Sequence, residues 1–228
     1  MNKIIRKIQY SEKVYRFDVE APLIAKSRKA GNFVIIRVDA NSERMPLTIA
    51  DADTEKGTIT LVVQKVGLSS TKLCNLNEGD EIHDVVGPLG NPTHIENFGT
   101  VLCAGGGVGV APMLPIIKAL KAAGNRVLSV IAGRSKDLVI MEDEVRASSD
   151  ELIIMTDDGS YGEKGVVTVG MEKLIQQEHI DKAFAIGPPI MMKFCCLLTQ
   201  KYNLPTDVSL NTIMVDGTGM CGACRLTI

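Results

Sequence analysis

Residues Thr100 to Leu120 combine a short apolar strand, a loop carrying Gly105, Gly106, Gly107 and Gly109, and a helical pattern. A loop of this kind lets backbone N–H groups approach a pyrophosphate, because no Cβ intervenes and positive φ is tolerated. The helix after the loop offers free N–H groups and a positive dipole end at the same place. Pro112 stands in the first helical turn, where a missing N–H does no harm. Met113, Leu114, Ile116, Ile117 and Leu120 recur at helical spacing as an inward face, with Lys118 and Lys121 outward, and Gly124-Asn125 ends the helix. A tight strand-to-helix turn without a ligand is the plain alternative. Positions 101–117 carry no charge, but the run is shorter than the roughly 20 residues of a membrane span. It also contains four glycines and two prolines, so a span is rejected.

A second constellation closes the chain. Asp216 precedes Cys221-Gly222-Ala223-Cys224 in a glycine-rich stretch. Two thiolates three positions apart can grip one metal ion or one iron of a cluster, and the glycines let N–H groups turn toward the sulfurs. Asp216, five residues upstream, is a candidate oxygen ligand. The same spacing also suits a redox dithiol, half a zinc ribbon or two plain cysteines. Arg225–Ile228 reads as a strand. The other cysteines read as structural: Cys103 in an apolar strand, Cys195 and Cys196 in an apolar helix, and Cys74 without a visible partner.

These residues need elements to hold them, and the chain changes character near residue 98. Before it, short β-type runs alternate with turn signals. Tyr15, Phe17 and Val19 interleave with Arg16, Asp18 and Glu20, and further runs cover Phe33–Val38, Thr58–Val66 and Glu81–Val86. Six or so such strands predict a small antiparallel β-barrel. Beyond residue 98, strands near 100–104, 127–132, 151–156 and 182–187 alternate with helices near 111–122, 168–177 and 189–200. That order predicts an α/β domain with a parallel sheet, whose ligands sit beyond the carboxyl ends of the strands. Three further loops fall at such ends: Gly133-Arg134-Ser135-Lys136, the stretch from Thr156 to Gly162 with Asp157 and Asp158, and Gly187-Pro188 with the residues up to Met192. Each alone is an ordinary turn; together they suit a nucleotide. Arg134 and Lys136 could take a ribose phosphate, and Asp157 or Asp158 ribose or amide hydrogen bonds.

Composition excludes several classes. The 228 residues are 45% hydrophobic with a net charge of −2, and no basic run suggests nucleic acid or an anionic membrane. Lys3, Arg6 and Lys7 precede no apolar stretch of the secretory kind, and six unevenly placed cysteines make no disulfide framework. A reducing cytoplasm is the expected location. His83, His94 and His179 are scattered, so no His-based zinc site is read.

The motifs in their order resemble those of ferredoxin–NADP reductase-type flavoproteins, over the whole chain. Within that family the chain resembles the small FAD and [2Fe–2S] subunits of NADH-dependent reduced-ferredoxin:NADP oxidoreductases, with dihydroorotate dehydrogenase electron-transfer subunits as near relatives. Arg44, Met45, Pro46, Leu47, Thr48 and Ile49 resemble the flavin motif. The resemblance implies that Arg44 holds the FAD pyrophosphate and that Thr48, the catalytic position, reaches flavin N5. Gly67, Ser69, Ser70 and Thr71 resemble its second phosphate loop. Gly105, Gly106, Gly107, Val108, Gly109 and Pro112 match the NAD(P) loop, with Gly133, Arg134, Asp157, Asp158, Gly187 and Pro188 as further coenzyme contacts. Leu47 stands where many relatives carry an aromatic residue over the flavin. Asp216 replaces the first of four cluster cysteines of the dihydroorotate type, which favours the other subgroup, where an Asp and three Cys are the implied ligands. Asp216, Cys221 and Cys224 are then metal ligands, with the last expected beyond Ile228. Arg134, Ser135 and Lys136 suit the 2′-phosphate of NADP(H), whereas the resemblance points to NAD(H).

The implied function is electron transfer. A nicotinamide gives up a hydride, a [2Fe–2S] centre takes single electrons, and a flavin must stand between them. The implied domains are 1–97 for FAD, 98–210 for NAD(P), and 211–228 as the start of a C-terminal iron–sulfur module. The expected partner is a larger flavin and iron–sulfur oxidoreductase subunit, with a ferredoxin as the second candidate. The rival readings are a stand-alone FAD-dependent reductase without a cluster and a redox-inactive nucleotide-binding module.

Overall fold

In this computed structural model, which describes residues 2–227, the chain begins with an antiparallel pair, β1 (Asn2–Ser11) and β2 (Val14–Glu20). Phe17 and Val19 point into a core and Glu20 outward, as the alternation along β2 requires. A short helix α1 (Pro22–Ser27) starts on its proline. Then come β3 (Phe33–Arg37), β4 (Met45–Asp53), β5 (Thr58–Gln64), helix α2 (Leu68–Asn75), β6 (Glu81–Ile82) and β7 (Asp84–Leu89). The seven strands form one antiparallel sheet in the order β6-β1-β2-β5-β4-β3-β7. Its two end strands are separated in sequence by His83 alone. The sheet must therefore curl until its ends nearly meet, which makes the expected barrel. Phe17, Val34, Ile36, Ile49, Ile59, Leu61 and Leu73 fill it and are at most 1% exposed. Each such side chain contributes up to about 1.5–3 kcal/mol by leaving water.

Strands and helices alternate thereafter: β8 (Thr100–Gly106), α3 (Val110–Ala122), β9 (Arg126–Gly133), α4 (Glu142–Ser148), β10 (Glu151–Thr156), β11 (Glu163–Lys164), α5 (Val167–Gln177), β12 (Lys182–Ile186), α6 (Pro189–Lys201) and β13 (Thr206–Val208). They build a parallel sheet in the order β11-β10-β9-β8-β12-β13. Val101, Leu102, Cys103 and Ala104 are all buried, as expected of a strand covered on both faces. The uncharged run at 101–117 thus folds as β8, a 3-10 turn over Gly107–Gly109, and the first part of α3. Among the described residues no helix is long and apolar enough to cross a membrane. The stop after α3 rests on buried Asn125, whose amide donates to Leu120 O and Glu96 O, both at 2.8 Å. Its Oδ1 accepts from the N–H groups of Phe98 and Gly99.

The chain packs as two compact units. One holds the residues up to Thr93 together with those from Asn211 onward, and the other is His94–Leu210. The expected strand at Arg225–Ile228 is corrected: Arg225 to Thr227 have no strand partner, and Ile228 lies outside the described residues. Glycine-rich backbone from Gly217 to Gly222 turns repeatedly, and no neighbouring edge pairs with Arg225 to Thr227.

Candidate functional site

In the barrel unit, the flavin-motif residues occupy the first half of β4. Met45, Pro46, Leu47 and Thr48 pair only with β3, whereas Ile49 to Asp53 pair with β5. The strand changes partner at Thr48, so one edge of the motif carries no ladder, and Pro46 is tolerated there. Thr48 is half-buried, and its hydroxyl has no partner among the described residues. Leu47 packs on the barrel core and Ile49 lies within it. Arg44 is exposed just before the strand and donates to the Asp216 carbonyl at 3.4 Å.

The residues expected to form a second phosphate loop make up the N-cap and first turn of α2. Gly67 is its N-cap, and a β-carbon there would meet nothing within 4 Å. Buried Ser70 spends its hydroxyl internally, accepting from the Val66 and Gly67 N–H groups at 3.0 and 2.9 Å. Ser69 and Thr71 are half-buried beside it. Ser69 Oγ donates to Glu43 at 3.3 Å, and Lys72 binds Asp39 at 3.1 Å and Ser42 at 3.4 Å. These contacts draw the segment before Arg44 onto α2, so two anion-binding features 23 residues apart become neighbours. Arg44 supplies charge, and the α2 N-terminus supplies N–H groups. This arrangement fits an extended diphosphate ligand.

In the α/β unit, the register places Gly105 opposite Ile186, Gly106 opposite Ala132, and Thr156 opposite Gly133. The four loops expected to meet a coenzyme therefore leave one edge of one sheet. Their glycines do different jobs. A β-carbon on Gly109 would come 2.5 Å from Ile186 O, and one on Gly105 would crowd Val110 at 3.2 Å. Gly107 has φ +55° and open space around its β-position, so it alone of these meets the expectation of close ligand approach without qualification. Val108 is half-buried in the turn, and Pro112 is the third residue of α3. Gly133 is buried against Leu138, and the exposed Arg134 guanidinium next to it has no partner among the described residues. Lys136 instead lies 5.3 Å from the Tyr161 ring centroid. Of the two acids, Asp158 accepts from Ser160 N at 2.9 Å, and Ser160's hydroxyl and N–H hold its carboxyl below the ordinary range. Asp157 is exposed, with no such tie among the described residues. Exposed Pro188 caps α6 after Gly187.

The terminal loop is organised by Asp216. Its carboxylate accepts from Thr218 N at 2.7 Å, Gly219 N at 3.3 Å and Cys221 N at 2.8 Å. The Thr218 and Cys221 N–H groups hold the carboxyl below the usual range. Cys221 and Cys224 are exposed, and Cys221 Sγ accepts from Ala223 N at 3.5 Å. Among the described residues no three His, Cys, Asp or Glu side chains converge as a metal site. Asp216, Cys221 and Cys224 share a loop but not a common centre. Cys103 and Cys195 are buried, and burial pushes the Cys195 thiol up to about 12.

No family model matches the chain. Over its full length it is 51% identical to the "dihydroorotate dehydrogenase B (NAD(+)), electron transfer subunit homolog" of Thermotoga maritima, covering 80% of that protein. The chain belongs to the dihydroorotate dehydrogenase B electron-transfer subunit family. A chain in the structure of an NADH-dependent reduced ferredoxin-NADP oxidoreductase, studied for flavin-based electron bifurcation, is 48% identical. It aligns with a TM-score of 0.94 over 99% of this chain and 81% of its own. The cytochrome b5 reductase domain of Ulva prolifera nitrate reductase shares the fold alone, at 19% identity and a TM-score of 0.74 over 91% of this chain and 96% of its own. The barrel and α/β units of this electron-transfer subunit thus have the ferredoxin–NADP reductase-type fold, as the sequence resemblance implied.

Sequence reasoning missed several residues of the electron-transfer subunit. Glu43 and Lys72 fasten Arg44's segment to α2, and Tyr161 faces Lys136. All three act across long loops or between strands, where one-dimensional spacing carries no signal.

Proposed function

We propose that this electron-transfer subunit binds FAD on its barrel unit and a nicotinamide coenzyme on its α/β unit, and delivers electrons to a larger partner subunit. The observation that carries the reading is the hydrogen bond from Ser69 of α2 to Glu43, which brings the segment before Arg44 to the start of that helix, with the Thr48 hydroxyl four residues on unengaged among the described residues. Arg44 and the N–H groups of α2 hold the diphosphate, and Thr48 aligns the flavin ring at N5. Gly107 and the start of α3 take the coenzyme pyrophosphate, with Arg134 and Asp157 at its sugars. When bound, the nicotinamide would supply a hydride and the flavin would take up two electrons and pass them on singly. NADH is the proposed coenzyme: Lys136 is drawn to Tyr161, which leaves Arg134, without a partner among the described residues, as the one free cation of the Arg134–Lys136 pair for a 2′-phosphate. Stopped-flow reduction of the flavin at lower NADPH than NADH concentration would reverse that preference.

The exposed Cys221 and Cys224 also fit two ligands of a [2Fe–2S] centre. Asp216 already accepts three N–H bonds, which leave one carboxylate lone pair for an iron, and a fourth ligand would come from outside this loop. A reductase without a cluster is the second reading, favoured by the three N–H bonds that the Asp216 carboxylate already accepts. The visible spectrum of the purified full-length protein tests all of this. Flavin bands with iron–sulfur absorbance are expected; flavin bands alone would select the second reading, and a colourless protein would refute both.

A further inference from the structure

Thr48 stands where β4 leaves β3 for β5, so few ladder bonds set its backbone. Two of the residues around it lead to one side chain. Phe33 lies opposite Thr48 in the register and is also opposite Leu89 of β7. Ile49, the next residue along β4, donates its N–H to the carbonyl of Asn32 at 3.1 Å. Asn32 immediately precedes β3 and is only 6% exposed.

The buried Asn32 amide is engaged entirely with main chain. Its Nδ2 donates to Leu89 O at 3.1 Å and to Gly90 O at 2.9 Å, and its Oδ1 accepts from the Lys29 N–H at 2.7 Å. The ladder cannot supply these bonds, because the pairing of β3 with β7 shifts register between Phe33 and Ile35. Two donors and an acceptor on one short planar group meet the need, and removing them would leave buried carbonyls unsatisfied. Asn32 thereby ties the end of β7 and the turn at Lys29 to the step from Thr48 to Ile49, which carries the flavin motif.

We propose that Asn32 is a positioning residue that fixes the main chain at Thr48 and Ile49 and so keeps the Thr48 hydroxyl aimed at flavin N5. This rests on the FAD reading above. The test uses the FAD-loaded full chain and records the visible absorption bands of the bound flavin, together with its rate of reduction by excess NADH. Thr48→Ala is expected to shift the bands and to slow reduction about three- to tenfold, the scale of one hydrogen bond. Asn32→Ala shifts the bands in the same sense and slows reduction likewise. The double variant is no slower than the slower single one, because both act on one contact. Asn32→Asp has the same shape, keeps the Lys29 bond and regains a donor only while its carboxyl is neutral. Its bands therefore move back toward those of the parent as pH falls, while the parent's stay fixed. Parent-like bands in Asn32→Ala, pH-independent bands in Asn32→Asp, or a double variant slowed by the product of the single losses would show a merely structural asparagine and overturn the proposal. Unmoved bands in Thr48→Ala would instead remove Thr48 from N5, and a parent protein that binds no flavin would remove the FAD reading itself.

Discussion

Arg44 sits with its charge in solvent and one hydrogen bond to a main-chain carbonyl, so a ligand diphosphate is the stronger partner available to it. Arg44→Ala should weaken FAD about tenfold to a hundredfold in a flavin-fluorescence titration, the range for a lost charge-assisted pair. Unchanged affinity would mean that the diphosphate lies elsewhere. At this scale Arg44 and Thr48 were singled out by the family resemblance, and Gly107 by the freedom of its glycine loop. The sequence did not show where a neighbour engages a polar group: the Ser70 hydroxyl closes the cap of α2, and Asp158 accepts from Ser160 in its own turn. Hydroxyls and carboxylates satisfy the nearest N–H first, and a sequence does not show which N–H is nearest.

At the scale of elements, α3 and β9 are joined by Asp150, which accepts from Lys121 Nζ at 2.6 Å and from Val127 N at 2.8 Å. The Lys121 bond, then the Val127 bond, hold its carboxyl below the ordinary range. A depressed carboxyl contributes stability that is present above the unfolded value of ~3.9 and is lost as pH falls through the lower folded value. Urea midpoints should therefore fall on acidification through that window, and Asp150→Asn should flatten part of the decline. An identical slope in both proteins would deny the linkage. Helices α3, α5 and α6 of the α/β unit were legible from their apolar period, with Gly124 and Asn203 in left-handed conformations after α3 and α6, whereas the seven-residue α4 was not. Nor were strands β1 and β4. β1 shifts register between Ile4 and Arg6 and again between Gln9 and Ser11, which breaks the period of two. β4 carries Pro46 and changes partner midway, which reads locally as a loop.

For the whole molecule, the order barrel then α/β unit was legible from the switch in periodicity, whereas the placement of the last residues was not, since 211–227 form no helix or strand. The Asp216–Cys224 loop offers at most three of the four ligands that a [2Fe–2S] centre needs. Anaerobic reconstitution of residues 1–228 should thus leave iron below two per chain, and full stoichiometry would point to a ligand from a second copy. The residues from Asn211 belong to the barrel unit although the α/β unit separates them from it in the chain. On the ribosome, the barrel strands emerge first, the α/β unit next, and only then the stretch in which Gly217 packs on Ile35 and Leu89. Synthesis thus runs N-terminal first, and the barrel's last piece docks after the intervening unit has had time to fold. Chains stalled within the α/β unit would carry a curled sheet whose β3 side is still bare, the form for a holdase to meet.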